Sequence, residues 1–189
     1  MPPITALLHT RNDALRIGRA LETLLPCAEI LIVDHASNDA TVRIARAYGA
    51  RIMAADSRSS DERSSSLFLN QALNHAHHNW ILCLRPSESL TEALQATLFE
   101  WSLLPESRLN GVCAFSLKVR QRLLREPADS AKVNRGQTEI AENKEDWVAG
   151  VTLETRLIPR SWNSWQHFLP TYEASAMALD GELLQFDFP

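Results

Sequence analysis

The sequence predicts an α/β fold with a mostly parallel sheet, organised as one domain over residues 1–189. Three observations lead there. Strand-length apolar runs alternate with helix-spaced segments, giving strand, helix, strand, helix, strand by Ala55. Each of the best-defined runs ends in a polar cluster of the kind that opens a helix. The chain is 45% hydrophobic and 22% charged, which supplies one sizeable core.

Ile4–Leu8 reads as a strand, and His9–Asp13 supplies helix N-cap candidates. Ala14, Ile17, Leu21, Leu24 and Leu25 recur at helical spacing until Pro26 stops the pattern. Ile30–Val33 has the β-branched content of a strand buried on both faces, and it ends on Asp34. Val42, Ala45 and Tyr48 mark a second helix stopped by Gly49, and Ala50–Ala55 a third strand. Such strand–helix–strand units cross over right-handed and build a parallel sheet. The Ser-rich segment Asp56–Ser66 reads as a mobile loop, Leu67–Ala76 as a helix and Trp80–Leu84 as a fourth strand. Ser89 with Glu92 forms a capping-box pattern for a helix running to about Leu103. Val112–Val119 and Leu153–Ile158 are the remaining strand candidates, and Leu124–Lys144 is polar enough to be irregular. No internal repeat is visible.

A net charge of −4 leaves no basic footprint for phosphate neutralisation, so a nucleic-acid partner is not expected. Cys27, Cys83 and Cys113 are odd in number and far apart, which predicts buried reduced thiols in a cytoplasmic protein. Met1–Leu8 has neither the charged nor the long apolar region of a leader, and no apolar run reaches membrane-spanning length. A soluble, cytoplasmic chain is the expectation.

Open α/β sheets bind ligands outside the carboxyl ends of their strands, which directs attention to Thr10–Asp13, Asp34–Thr41 and Arg85–Glu88. A carboxylate at the Asp34 position can accept from a base ring N–H or a ribose hydroxyl; it can equally cap the following turn. His75, His77 and His78 are spaced permissively for a metal, but a solvated helix end is the better account. Trp147, Trp162 and Trp165 could stack on a sugar, although packing is the commoner use of such rings.

Ile4-Thr-Ala-Leu-Leu-His-Thr-Arg-Asn-Asp13 and Ile32-Val-Asp-His-Ala-Ser-Asn-Asp-Ala-Thr41 together resemble the opening of the family 2 glycosyltransferases of GT-A fold. The second stretch is similar to their V-D-x-x-S-x-D-x-T pattern. Asn70-Gln-Ala-Leu73 and Trp80-Ile-Leu82 resemble their R-N-x-A-L and W-I-L segments. The likeness covers residues 4–90 and is nearest to the branch that transfers sugars onto lipopolysaccharide core. It implies a three-layer sandwich with a nucleotide-binding half, residues 1–104, and a shortened acceptor-side half, residues 105–189.

The resemblance also implies roles. Thr10 and Asn12 would line the nucleotide pocket, Asp34 would bind the base, and Asp39 would lie on the phosphate side. Glu173, in Thr171-Tyr-Glu173, falls where the branch carries its general base; an exposed surface carboxylate is the alternative. The donor would be a nucleotide-diphosphate sugar such as a UDP-sugar, the acceptor a saccharide or lipid-linked hydroxyl, and the transfer inverting. One departure weighs heavily. The family's D-x-D falls on Arg85-Pro86-Ser87, and only Glu88 keeps an acid there as a candidate metal ligand; Leu69 replaces the arginine before N-x-A-L. Two carboxylates normally hold the Mg²⁺ or Mn²⁺ that bridges the diphosphate, a task Arg and Ser cannot perform. Either Arg85 supplies the positive charge itself, as a catalytic cation, or the fold persists as a silent binding or assembly module. A nucleotidyltransferase is disfavoured by the lack of a glycine-rich phosphate loop.

Overall fold

The computed structural model describes residues 3–55, 66–109, 111–123 and 148–187. The chain runs β1 (Ile4–Thr10), α1 (Ile17–Glu22), β2 (Glu29–Asp34), α2 (Thr41–Ala47), β3 (Arg51–Ala54), α3 (Ser66–Asn74), β4 (Trp80–Leu84), β5 (Glu88–Leu90) and α4 (Glu92–Ser102). After a 3-10 turn at Glu106–Leu109 come β6 (Phe115–Leu123), β7 (Val148–Pro159), β8 (Trp165–Gln166), β9 (Leu169–Pro170) and β10 (Met177–Asp187). Eight strands form one sheet in the order β3-β2-β1-β4-β7-β6-β10-β5, and β8 and β9 form a separate hairpin. The pairings β1/β2, β1/β4, β2/β3 and β6/β10 are parallel, while β4/β7, β6/β7 and β5/β10 are antiparallel.

The unbroken apolar runs are explained by burial on both faces. Ile4, Ala6 and Leu8 of β1, Ile32 of β2 and Leu82 of β4 join α1, α2 and α4 in one core. The alternate residues Leu7, Leu31, Val33, Ile81 and Cys83 meet Ala72 and Leu73 of α3 and Ala76 just after it, with Trp162 and Trp165 from the hairpin region packed alongside. Three layers result, because a strand's side chains alternate between faces and each face here has its own cover. Each fully buried Leu or Ile contributes roughly 1.5–3 kcal/mol.

Several expectations need correction. Helix α1 is shorter than the apolar spacing suggested, because the Asp13 carbonyl accepts from both Arg16 and Ile17 N–H in a turn before it, and Leu15 and Leu25 lie exposed. Ser89 does not cap α4. It lies in β5, which pairs with β10, and the cap is Thr91, whose Oγ1 accepts from Leu94 N–H at 3.3 Å. Strand β10 had no clear sequence signal, since its pairing with β6 shifts register between Ala178 and Glu182 around Gly181. Gly49, at φ 76°, stops α2 as read. Cys83 is buried and Cys27 half-buried, but Cys113 is exposed, and all three are free. The loop expected at 56–66 lies almost entirely, and the irregular stretch at 124–144 wholly, outside the described residues.

Candidate functional site

Strand order reverses beside β1: β2 and β3 lie on one side and β4 on the other, which opens a crevice at the carboxyl ends of β1 and β4. A cleft of about 510 Å³ occupies it. His9, Asp13 and Arg16 come from the end of β1 and its loop, and Leu84–Ser87 from the end of β4. Glu154 and Thr155 of β7, residues Gln166–Pro170 of the hairpin, and Tyr172 complete the walls.

The four residues expected to hold the nucleotide are brought together, but none of them lines this cleft. Their polar atoms lace the loop after β1 to the loop after β2. Asn12 N–H donates to Ser37 Oγ, Asn12 Oδ1 accepts from Asn38 N–H, and Ala14 N–H donates to Asp39. Asp39 Oδ1 also accepts from Thr41 N–H at 2.9 Å, and Asp13 N–H donates to Thr41 Oγ1. Asp34 is buried. Its Oδ1 accepts from Thr10 Oγ1 at 3.4 Å and its Oδ2 from Ser37 N–H at 3.1 Å, the turn-capping arrangement weighed for it above. Asn12 takes a φ of 57°, a left-handed conformation that Asn adopts more readily than most residues.

The end of β4 holds an ion-pair lattice instead of a pair of open carboxylates. Arg156, from β7, is wholly buried. Its Nη1 donates to Glu88 Oε2 at 3.0 Å and to the Cys83 carbonyl, and its Nη2 donates to Glu88 Oε1 at 2.7 Å and Glu154 Oε2 at 2.8 Å. Glu88, also at zero exposure, accepts in addition from the Arg85 backbone N–H and from Arg85 Nη1, both at 2.8 Å. Burial alone would lower the Arg156 pKa, but Glu88 and then Glu154 raise it, so its charge is secure. Burial would likewise raise Glu154, and Arg156 is the strongest influence holding it below the ordinary value.

This donor set does not fit a divalent cation. Both oxygens of Glu88 are saturated by guanidinium and backbone donors, and Arg85 adds a positive charge at the same edge. Among the described residues no group of three or more His, Cys, Asp or Glu is placed to hold a metal. Arg156 was not singled out from the sequence. Its only signal was a pair of opposite charges, Glu154 and Arg156, two residues apart and so on one face of the strand candidate Leu153–Ile158.

Glu173 lies beside the cleft without lining it. Its Oε1 accepts from Ser175 Oγ at 2.6 Å and Ser175 N–H at 3.0 Å, and the Ser175 hydroxyl first, then its N–H, lower its pKa. Asp13 differs: it lines the cleft, and burial raises its carboxyl against the opposing pull of Arg11 N–H and Arg16. At the end of β1, His9, which also lines the cleft, shares a hydrogen bond of 3.0 Å from its Nδ1 with His35 Nε2. Burial, then His35, lowers the His9 pKa from 6.5 to about 3, so the ring stays neutral. Trp165 packs into the second core and donates to Asn70 Oδ1, and Trp162 bonds the Ser164 carbonyl, so packing accounts for both; Trp147 is outside the described residues. Just after α3, His77 meets Glu29: its backbone N–H and ring lie 2.8 and 3.2 Å from the carboxylate.

Together, the fold and cleft define a three-layer α/β protein with a ligand crevice at its strand-order reversal. No family model matches the chain, and neither does any curated protein. The chain is partly similar to several solved structures. S. aureus TarS is 16% identical, with 67% of this chain covering 37% of it at a TM-score of 0.47. A mycobacterial protein is 19% identical, with coverage of 64% and 41% and a TM-score of 0.44. Glucosyl-3-phosphoglycerate synthase from Mycobacterium tuberculosis, in complex with Mn²⁺, UDP and glucosyl-3-phosphoglycerate, is 18% identical, with coverage of 65% and 44% and a TM-score of 0.43. The chain thus spans less than half the length of each. No helix among the described residues is long and apolar enough to cross a membrane.

Proposed function

We propose that this chain is a glycosyltransferase-like protein whose β1/β4 cleft takes the diphosphate of a nucleotide sugar without a divalent cation, and that it acts as a binding module. The observation that carries the reading is the lattice of Arg85, Glu88 and Arg156 at the end of β4. Arg85 lines the cleft, and among the described residues its hydrogen bonds use only Nη1 and the backbone N–H. Its remaining guanidinium donors are available to phosphate oxygens, the geometry in which Arg replaces a metal as a clamp. Arg16 supplies a second cation to the cleft.

Calorimetry with UDP, a UDP-sugar and pyrophosphate, each with and without Mn²⁺, tests the reading. Binding should be indifferent to Mn²⁺ and fall about tenfold or more in Arg85→Ala, the range expected when a charge-assisted contact is lost. A large gain in affinity on adding Mn²⁺, or full affinity in Arg85→Ala, refutes it. A second reading, inverting transfer to a saccharide or lipid-linked hydroxyl, is favoured by Asp13, whose raised carboxyl on the cleft wall suits a general base better than Glu173 does. Donor turnover that is lost in Asp13→Asn and kept in Glu173→Gln would establish it.

A further inference from the structure

The hairpin β8–β9 carries an aromatic ring to the cleft on an unusual mounting. Phe168 stacks on His9 with ring centroids 4.8 Å apart and an interplanar angle of 23°, and leans on His35 at 5.0 Å and 51°. The two imidazoles are buried, lie 5.3 Å apart, and are joined by the His9–His35 hydrogen bond. The hairpin's other end is held by the 2.7 Å bond from Trp165 Nε1 to Asn70 Oδ1. Anchored at both points, Phe168 has little freedom to leave the cleft wall. Tyr172, 60% exposed, and Pro86 and Pro170 extend the apolar lining, while Arg85 and Arg16 bring positive charge to the same cleft. An elongated anion with a planar ring at one end satisfies both kinds of surface.

Resting on the reading of the cleft as a nucleotide site, we propose that Phe168 is the platform on which the nucleobase stacks, with His9 and His35 as the pair that positions it. Base recognition then comes from ring area and not from a hydrogen-bond code. The carboxylate that the sequence suggested as the base reader, Asp34, lies outside the cleft lining, with one oxygen accepting from Thr10 Oγ1 and the other from Ser37 N–H. Every base has a π-face, so stacking of this kind tolerates sequence differences and favours the larger purines.

The probes are UDP, ADP, GDP and pyrophosphate, titrated into the whole chain. ADP and GDP should bind at least as tightly as UDP. Phe168→Leu should weaken all three nucleotides about tenfold and leave ringless pyrophosphate unaffected, whereas Phe168→Trp retains nucleotide affinity. His35→Gln should weaken the nucleotides but not pyrophosphate, a contrast that a general loss of folding would not produce. Discrimination for uracil of tenfold or more, unchanged nucleotide affinity in Phe168→Leu, or a rise in affinity because the ring had been blocking the cleft, each overturns the stacking role while the cleft reading survives. If neither pyrophosphate nor any nucleotide binds the wild type, both fall together.

Discussion

Replacing Glu88 by Gln isolates the charge at the centre of the lattice. The amide keeps the shape and one carbonyl acceptor, so one of the two bonds from Arg156 to this side chain can survive; the negative charge cannot. Arg156 would remain at zero exposure with Glu154 as its remaining carboxylate partner, 2.8 Å from Nη2. Removing one member of a buried ion pair costs about 3–5 kcal/mol. The retained amide bond offsets roughly 1 kcal/mol of that. A net loss of about 2–4 kcal/mol is expected, which for a domain of this size lowers Tm by about 5–15 °C. Urea unfolding followed by circular dichroism measures the loss, with m expected to be unchanged. The double variant Glu88→Gln with Arg156→Met should recover part of it, since it removes the buried cation that Glu88→Gln leaves short of a counter-charge. A single variant within about 0.5 kcal/mol of wild type, or a double variant less stable than the single, would refute the reasoning.

Two further outcomes follow from particular residues. His9 has a folded pKa of about 3 against an ordinary 6.5, so the unfolded chain binds the extra proton between those values, and stability is lost as pH falls through that window. The slope should reach about 1.4 kcal/mol per pH unit, be measurable between pH 6.5 and 5 before most carboxylates titrate, and flatten in His9→Gln; an equal slope in the variant assigns the effect elsewhere. Gly181 sits at φ 94°, and a Cβ there would stand 2.5 Å from the Leu94 backbone, so Gly181→Ala should cost about 2–4 kcal/mol by displacing α4 from β10. An unfolding midpoint unchanged in urea would mean that the register shift relaxes freely.

Which parts of this molecule the sequence could announce depends on the range of the interactions that define them. Strands β1, β2 and β4 are legible because both faces of each are covered, and that condition writes a continuous apolar run. The stop at Gly49, the carboxyl ends of those strands, and the run Arg85-Pro86-Ser87-Glu88 after the fourth strand are local facts that need no fold to be read. The chemistry at those ends is not local. Glu88 reads alone as a candidate metal ligand, yet each of its oxygens accepts from Arg156, 68 residues away, as well as from the neighbouring Arg85. Thr10, Asn12, Asp34 and Asp39 read as ligand contacts, yet most of their bonds cross between two loops about 25 residues apart, to partners such as Ser37, Asn38 and Ala14 in those loops. Ser89 has a sound capping pattern that loses to strand pairing with β10, an element whose register shift hides its own period. Composition and periodicity therefore determined the layers and the edge where a ligand would lie. Only the tertiary structure decided which charges there are already paired and which ring faces the cleft, because a buried charge or aromatic takes its properties from whatever the fold brings within a few ångströms.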